Sequence, residues 1–157
     1  GWLRFWVRPL ADRSEHLVTL TAEESTAHAA LTYPSDAGKG LLEVELAGGI
    51  RLVNTHLAFG RSGAAQLAQA AGVLRASPRG VLVGDFNAGR DAVVAVVGEG
   101  VSVADVGRAT NAPSRRHASG QAIDHVVCAG GALEQVEVLD SEGLSDHHPV
   151  RATVRFE

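Results

Sequence analysis

The chain has 157 residues, 45% of them hydrophobic and 20% charged, and a net charge of −4. That length suits one domain able to bury roughly 70% of the surface its unfolded chain exposes, and the acidic balance argues against a non-specific nucleic-acid binder, which needs a basic field. Its single cysteine, Cys128, excludes an intrachain disulfide framework and an all-cysteine zinc site, and no apolar run reaches the roughly 18 residues of a membrane span.

The first residues, "GWLRFWV", already read as a strand. They carry no charged-then-apolar leader pattern, and the chain holds no methionine. The expectation is therefore that the chain starts inside a longer sequence. "LLEVELAGGIRLVNTHL" sets alternating apolar runs on either side of Ala-Gly-Gly and reads as a β-hairpin. From Ser62 to Ser77 the period becomes helical, with Leu67, Ala70, Ala71 and Leu74 on one face, Ser62 placed to cap and Pro78 beyond the end. The apolar run Val81 to Val83 reads as a strand buried on both faces. Asp91 to Val97 predicts a second, short helix, and Arg108 to Gly120 a polar surface loop. Strands resume at Ile123. "HVVCAGGALEQVEVLD" repeats the hairpin chemistry, and Val150 to Phe156 alternates as a last strand. Helices interrupting strands predict one α/β layered domain over residues 1–157.

Four stretches place unusual polar residues beside predicted strands: "NTHL", "GDFN", "AIDHV" and "SDHHPV". Asp85 and Asn87 follow the apolar strand, where open sheets place their ligand sites. The same four residues also suit a plain turn. Asn54 and His56 share one face of their strand, though a lone histidine at a strand end is often structural. Asp124 is expected inside an otherwise apolar strand, where it needs a partner, either a histidine or backbone N–H groups. Ser145 and Asp146 are able to cap a turn. His147 and His148 point to opposite sides if the segment is extended, so both cannot serve one site equally. Together the stretches supply carboxylates for a hard cation, an amide, and histidines for proton transfer. An Asp124–His147 pair would fix the imidazole tautomer and stabilise its charged form. This inventory suits hydrolysis of a phosphate ester.

The order NTHL, GDFN, IDHV, SDHHPV resembles the endonuclease/exonuclease/phosphatase superfamily, whose fold is the DNase I-like α/β/β/α sandwich. The likeness runs from about residue 5 to the C-terminus, with "WLRFWVRPLADRSEHLVTL" similar to a degraded family strand. The resemblance implies a Mg²⁺- or Mn²⁺-dependent phosphoesterase. It implies His56 on the leaving-group side, Asp85 orienting or deprotonating the attacking water, and Asn87 holding a phosphate oxygen. It pairs Asp124 with His147, which contacts the phosphate, and sets Asp146 with Asp85 and Asn87 as metal support. His148 is left structural. The family's early strand ending in "QE", source of the main metal-binding glutamate, has no counterpart here, since Glu23 and Glu24 in "TAEEST" come too late. The expectation is thus a sandwich incomplete at its N-terminus, with uncovered apolar sheet surface, an incomplete metal site and impaired activity. The alternative is a non-catalytic remnant that binds a phosphate-bearing partner. "DHH" read as the signature of the unrelated DHH phosphoesterases fails, because the earlier aspartate motifs of that family are missing. The substrate class stays open among nucleic acid, phospholipid and sugar phosphate. Arg115, Arg116 and His117 are either phosphate contacts or a solvated face.

Overall fold

The computed structural model describes residues 16–22, 24–113 and 119–157. The expected opening strand "GWLRFWV" and the trio Arg115, Arg116 and His117 lie outside them. The first hairpin forms as its alternation predicts. Strands β2 (Asp36–Leu46) and β3 (Ile50–His56) pair antiparallel, with Gly48 and Gly49 both at positive φ in the turn. Val53, Thr55 and Leu57 point to one side of the sheet, Leu52, Asn54 and His56 to the other, as a period of two requires.

Helix α1 (Gly60–Arg75) buries Leu67, Ala70, Ala71 and Leu74, the predicted face. It begins two residues earlier than the sequence suggests, and Ser62 is not its cap. Phe59 is the N-cap, without a side-chain hydrogen bond. The fully buried Gln66 side chain instead takes the Ala58 N–H at 2.7 Å. Strand β4 (Gly80–Asp85) then runs parallel to β3, as a helical crossover demands. Helix α2 (Arg90–Val97) follows, then β5 (Val101–Val103) and β6 (Asp124–Ala129).

The second hairpin does not exist. Strand β6 pairs with β4 and β5, whereas β7 (Ala132–Val138) pairs with β8 (Val150–Arg155) in a separate two-stranded sheet. The cause lies in burial. Residues His125 to Ala129 of β6 are all buried, so this strand belongs in the sheet centre. Strand β7 is apolar on one face only, and Leu133 and Val136 lay that face over the first sheet. The Ala-Gly-Gly step turns the chain from one sheet to the other.

The result is an α/β sandwich. A six-stranded sheet, order β1-β2-β3-β4-β6-β5, with β1 spanning Ser25–Tyr33, carries both helices on one face. The β7–β8 pair covers the other face through Val136, Val150 and Ala152 against Leu52, Val83 and Val126. Among the described residues no helix lies outside β7–β8. Leu31 of β1 is 46% exposed, beside an open groove of about 610 Å³ between the sheet and α1.

Gly84 is where this packing bears on the site. Its φ is +140°, and a Cβ there would overlap the Thr55 carbonyl oxygen on β3. Gly84→Ala is expected to destabilise the fold by about 3 kcal/mol or more, read as a lowered urea midpoint. A midpoint equal to that of the parent chain would contradict this close approach.

Candidate active site

Strand register builds the site. Asp85 is the Cα partner of His56 on β3 and of Asp124 on β6, so three functional side chains form one row across the sheet at its strand ends. Each stands an even number of residues from one packed against β7–β8, namely Leu52, Val83 and Val126, which puts the row on the inter-sheet face. Asp124 is the first residue of β6, not an interior one.

His147 enters this row from the loop before β8. Thr110, fully buried, is the clasp. Its hydroxyl accepts the backbone N–H groups of Ile123 and Asp124, each at 3.0 Å, and its carbonyl accepts the His148 N–H at 2.6 Å. One residue thus ties the start of β6 to the "DHH" segment. His147 Nδ1 then donates to Asp124 Oδ2 at 2.9 Å. Its Nε2 lies 3.9 Å from Asp85 Oδ2, and on the opposite side His56 Nε2 lies 3.4 Å from that same oxygen.

The "GDFN" stretch is a turn and part of the site at once. Asp85 Oδ1 accepts the Asn87 N–H at 2.8 Å, an Asx-type turn, while Oδ2 faces the histidines. Asn87 sits at φ 49°, a region that asparagine tolerates. Its Nδ2 donates to the Leu57 carbonyl at 2.7 Å and lies 3.4 Å from His56 Nε2. Asn54 is not brought to the row. It donates to the Val18 carbonyl at 3.1 Å. Asp146 is exposed at the rim, where its carbonyl accepts the Ala112 N–H. His148 Nδ1 accepts the Ser141 N–H at 3.3 Å, a structural role.

Sequence reasoning missed Lys39, whose Nζ lies 2.8 Å from His56 Nε2. The "GKG" that holds it reads as a glycine-rich strand end, and only the pairing of Gly40 with His56 places it. Beneath them Thr55 donates to the Gly40 carbonyl and receives the Tyr33 hydroxyl, both at 2.8 Å, which fixes the end of β3 from the core side.

Electrostatics separate the two ends of the row. Burial, reinforced by the charge of Asp124, pushes Asp85 up to about 6. The hydrogen bond that His147 donates to Asp124 pushes its pKa up to about 9, with the Asp124, Asp85 and Asp146 charges adding to it against the opposing effect of burial. At neutral pH the site therefore holds an imidazolium clamped on one carboxylate, next to a second, buried carboxylate that is more basic than an ordinary aspartate. Ligand atoms of Asp85, Asp124 and His147 all lie within 4.8 Å of one another.

No protein-family model matches the chain, and no curated protein matches it by sequence. Solved structures do. An endonuclease/exonuclease/phosphatase from Beutenbergia cavernae superposes with a TM-score of 0.67 at 18% identity, over 99% of this chain and 53% of that one. TDP2 from C. elegans gives 0.65 at 18%, over 98% and 58%. The 3′ phosphatase NExo from Neisseria gives 0.65 at 17%, over 85% and 72%. The chain has the DNase I-like α/β sandwich fold of these neighbours, and it spans little more than half the length of the first two of them.

Proposed function

We propose that the chain is a divalent-metal-dependent phosphoesterase that adds water across a phosphate mono- or diester. The observation that carries this reading is the row of His56, Asp85 and Asp124 with His147 bonded to its end. It sets a carboxylate made more basic by burial between two imidazoles, one of them held charged.

The donor set fits a hard cation. Burial and the neighbouring Asp124 charge both disfavour an ionised Asp85, a cost that a cation would relieve. A His147 protonated on both nitrogens is no ligand, so oxygens of Asp85, Asn87 and, at the rim, Asp146 are the groups that would hold Mg²⁺ or Mn²⁺. When bound, the ion supplies charge compensation for the phosphoryl oxygens. Asp85 orients the attacking water and takes its proton. The water oxygen bonds to phosphorus as the ester P–O bond breaks. His147 hydrogen-bonds a phosphoryl oxygen and offsets its growing charge. The leaving oxygen takes its proton on the His56 side, from the Lys39 ammonium that lies 2.8 Å from His56 Nε2, with the imidazole relaying it. NExo, described as a 3′ phosphatase bound to product DNA, and TDP2 make a phosphate-ester substrate the natural class. Nucleic acid, phospholipid and sugar phosphate remain the three candidates within it.

This is a sparse oxygen set for an ion that prefers octahedral coordination and keeps several waters, so turnover by the 157 residues alone is expected to be slow. The test is release of p-nitrophenol from bis-p-nitrophenyl phosphate with Mg²⁺ or Mn²⁺, set against the same assay in EDTA. Release that requires the metal supports the reading. Equal release in EDTA would remove the metal from it. Phosphate binding without any release would leave the non-catalytic phosphate-binding domain.

A further inference from the structure

The first residues of β6 lie beyond the reach of their neighbour strand. Strand β5 pairs with β6 only from Val127 onward, and Ala104 gives its N–H to the Val126 carbonyl. Ahead of that point Thr110 takes the place of a strand. Its hydroxyl accepts the N–H groups of Ile123 and Asp124 and donates to the Gln121 carbonyl at 3.4 Å. The backbone of the same residue serves the other partner. Asn111 stands opposite His147 in a short antiparallel bridge. The Ala112 N–H goes to the Asp146 carbonyl at 2.7 Å and the His148 N–H to the Thr110 carbonyl, so His147 is held on both flanks. The two partners of the 2.9 Å contact between His147 and Asp124 are therefore spaced through one buried residue. A displacement of about 1 Å would carry that contact beyond hydrogen-bond range.

We propose that the Thr110 hydroxyl is a positioning group for the reaction: it sets the Asp124 carboxylate against the His147 ring, and so aims the Nε2–H of that ring at the phosphoryl oxygen. The proposal rests on the phosphoesterase reading and adds to it a residue that touches neither substrate nor ion. A buried threonine that merely closed a strand end would leave the ring on the neighbouring segment indifferent to its hydroxyl. Here the hydroxyl holds one partner of the pair and the carbonyl of the same residue holds the segment of the other. Loss of the hydroxyl alone is therefore expected to reach the ring.

The test compares Thr110→Val, which keeps the shape and removes the hydroxyl, with Thr110→Ser, which keeps the hydroxyl. Two ring N–H protons are followed by NMR in metal-free buffer. The Nδ1–H of His147, shielded by its bond to Asp124, is identified by its absence in His147→Gln. The Nε2–H of the buried His125, donated to the Ala88 carbonyl at 2.7 Å, reports an intact fold. In Thr110→Val the His147 signal is expected to vanish into exchange with water while that of His125 stays. The kcat on bis-p-nitrophenyl phosphate with Mg²⁺ should fall by on the order of 10², the cost of a group misplaced by about an ångström. KM should change little, since the weakened contact acts on charge that grows in the transition state. Thr110→Ser is expected to keep both signal and rate. If Thr110→Val loses the His125 signal, and with it the fold, Thr110→Ala against Thr110→Ser makes the same comparison, as those two differ by the hydroxyl. A His147 signal or a kcat that stays at the parent level without the hydroxyl overturns the proposal, as does a serine chain as damaged as the valine one, and each leaves the phosphoesterase reading standing. If the parent chain turns over no ester, the phosphoesterase reading fails, and the positioning role with it.

Discussion

His147→Gln is expected to lower kcat/KM on bis-p-nitrophenyl phosphate by about 10²–10³, the usual loss for one charge-stabilising donor at a phosphoryl or acyl centre. Glutamine keeps a donor of similar reach but cannot hold a charge. The pH dependence separates these two contributions. The folded-state pKa of His147 is raised to about 9 from an ordinary value of 6.5, chiefly by the hydrogen bond with Asp124. Its charged form therefore favours the fold fully below about 6.5, and that contribution is lost as pH rises through 9. Activity should fall over the same upper range. Asp124→Asn removes the carboxylate and should bring the His147 titration, followed by its ring-proton NMR signal, back towards neutral pH, with the falling limb of activity moving alongside it. A His147 titration unmoved by Asp124→Asn would mean that the 2.9 Å contact does not control the imidazole.

The reasons why parts of this arrangement were legible in the sequence and others were not are physical. Residues whose role is set by strand periodicity could be read. His56 ends an alternating strand and Asp85 a short continuous apolar one, both local signals, and the helical stripe from Leu67 to Leu74 is equally local. Features decided by partners far along the chain could not. Strand β1, almost wholly exposed, has little apolar signal and exists because β2 offers it an edge. Ser62 looked like a cap because nothing nearby reveals that Gln66 already serves the start of the helix. The Ala-Gly-Gly at residue 129 matched a hairpin in every local respect, and only the two-sided burial of β6 against the one-sided face of β7 separates it from the true hairpin at residue 47. Thr110 shows no local sign of function at all. It matters because it joins two segments more than ten residues away on its C-terminal side, and polar clasps of that kind leave no periodic trace.

Asp85→Asn should separate activity from stability in opposite directions. Activity is expected to drop by about 10²–10⁴, the range for loss of a general base, because an amide neither takes the proton of water nor holds a hard cation well. Stability should rise. A carboxyl whose folded pKa is raised, here to about 6 from 3.8, is held in the fold at the expense of its charged form. The penalty is absent below about pH 3.8, grows between 3.8 and 6, and is complete above that. The full gap corresponds to roughly 3 kcal/mol, and partial solvent access cuts this to about 1–2 kcal/mol. For a chain of this size that is a Tm higher by roughly 2–8 °C. The amide oxygen of the substituted side chain would still accept the Asn87 N–H, so the turn survives. In metal-free buffer the variant should therefore melt above the parent chain at about pH 8 and level with it at about pH 3.5. Added Mg²⁺ or Mn²⁺ should then narrow the difference at the higher pH, because an ion that binds Asp85 stabilises the parent and not the variant. A variant that melts lower at that pH, or a gap indifferent to both pH and metal, would show that Asp85 is an ordinary turn residue and that its closeness to the two histidines does not make a site.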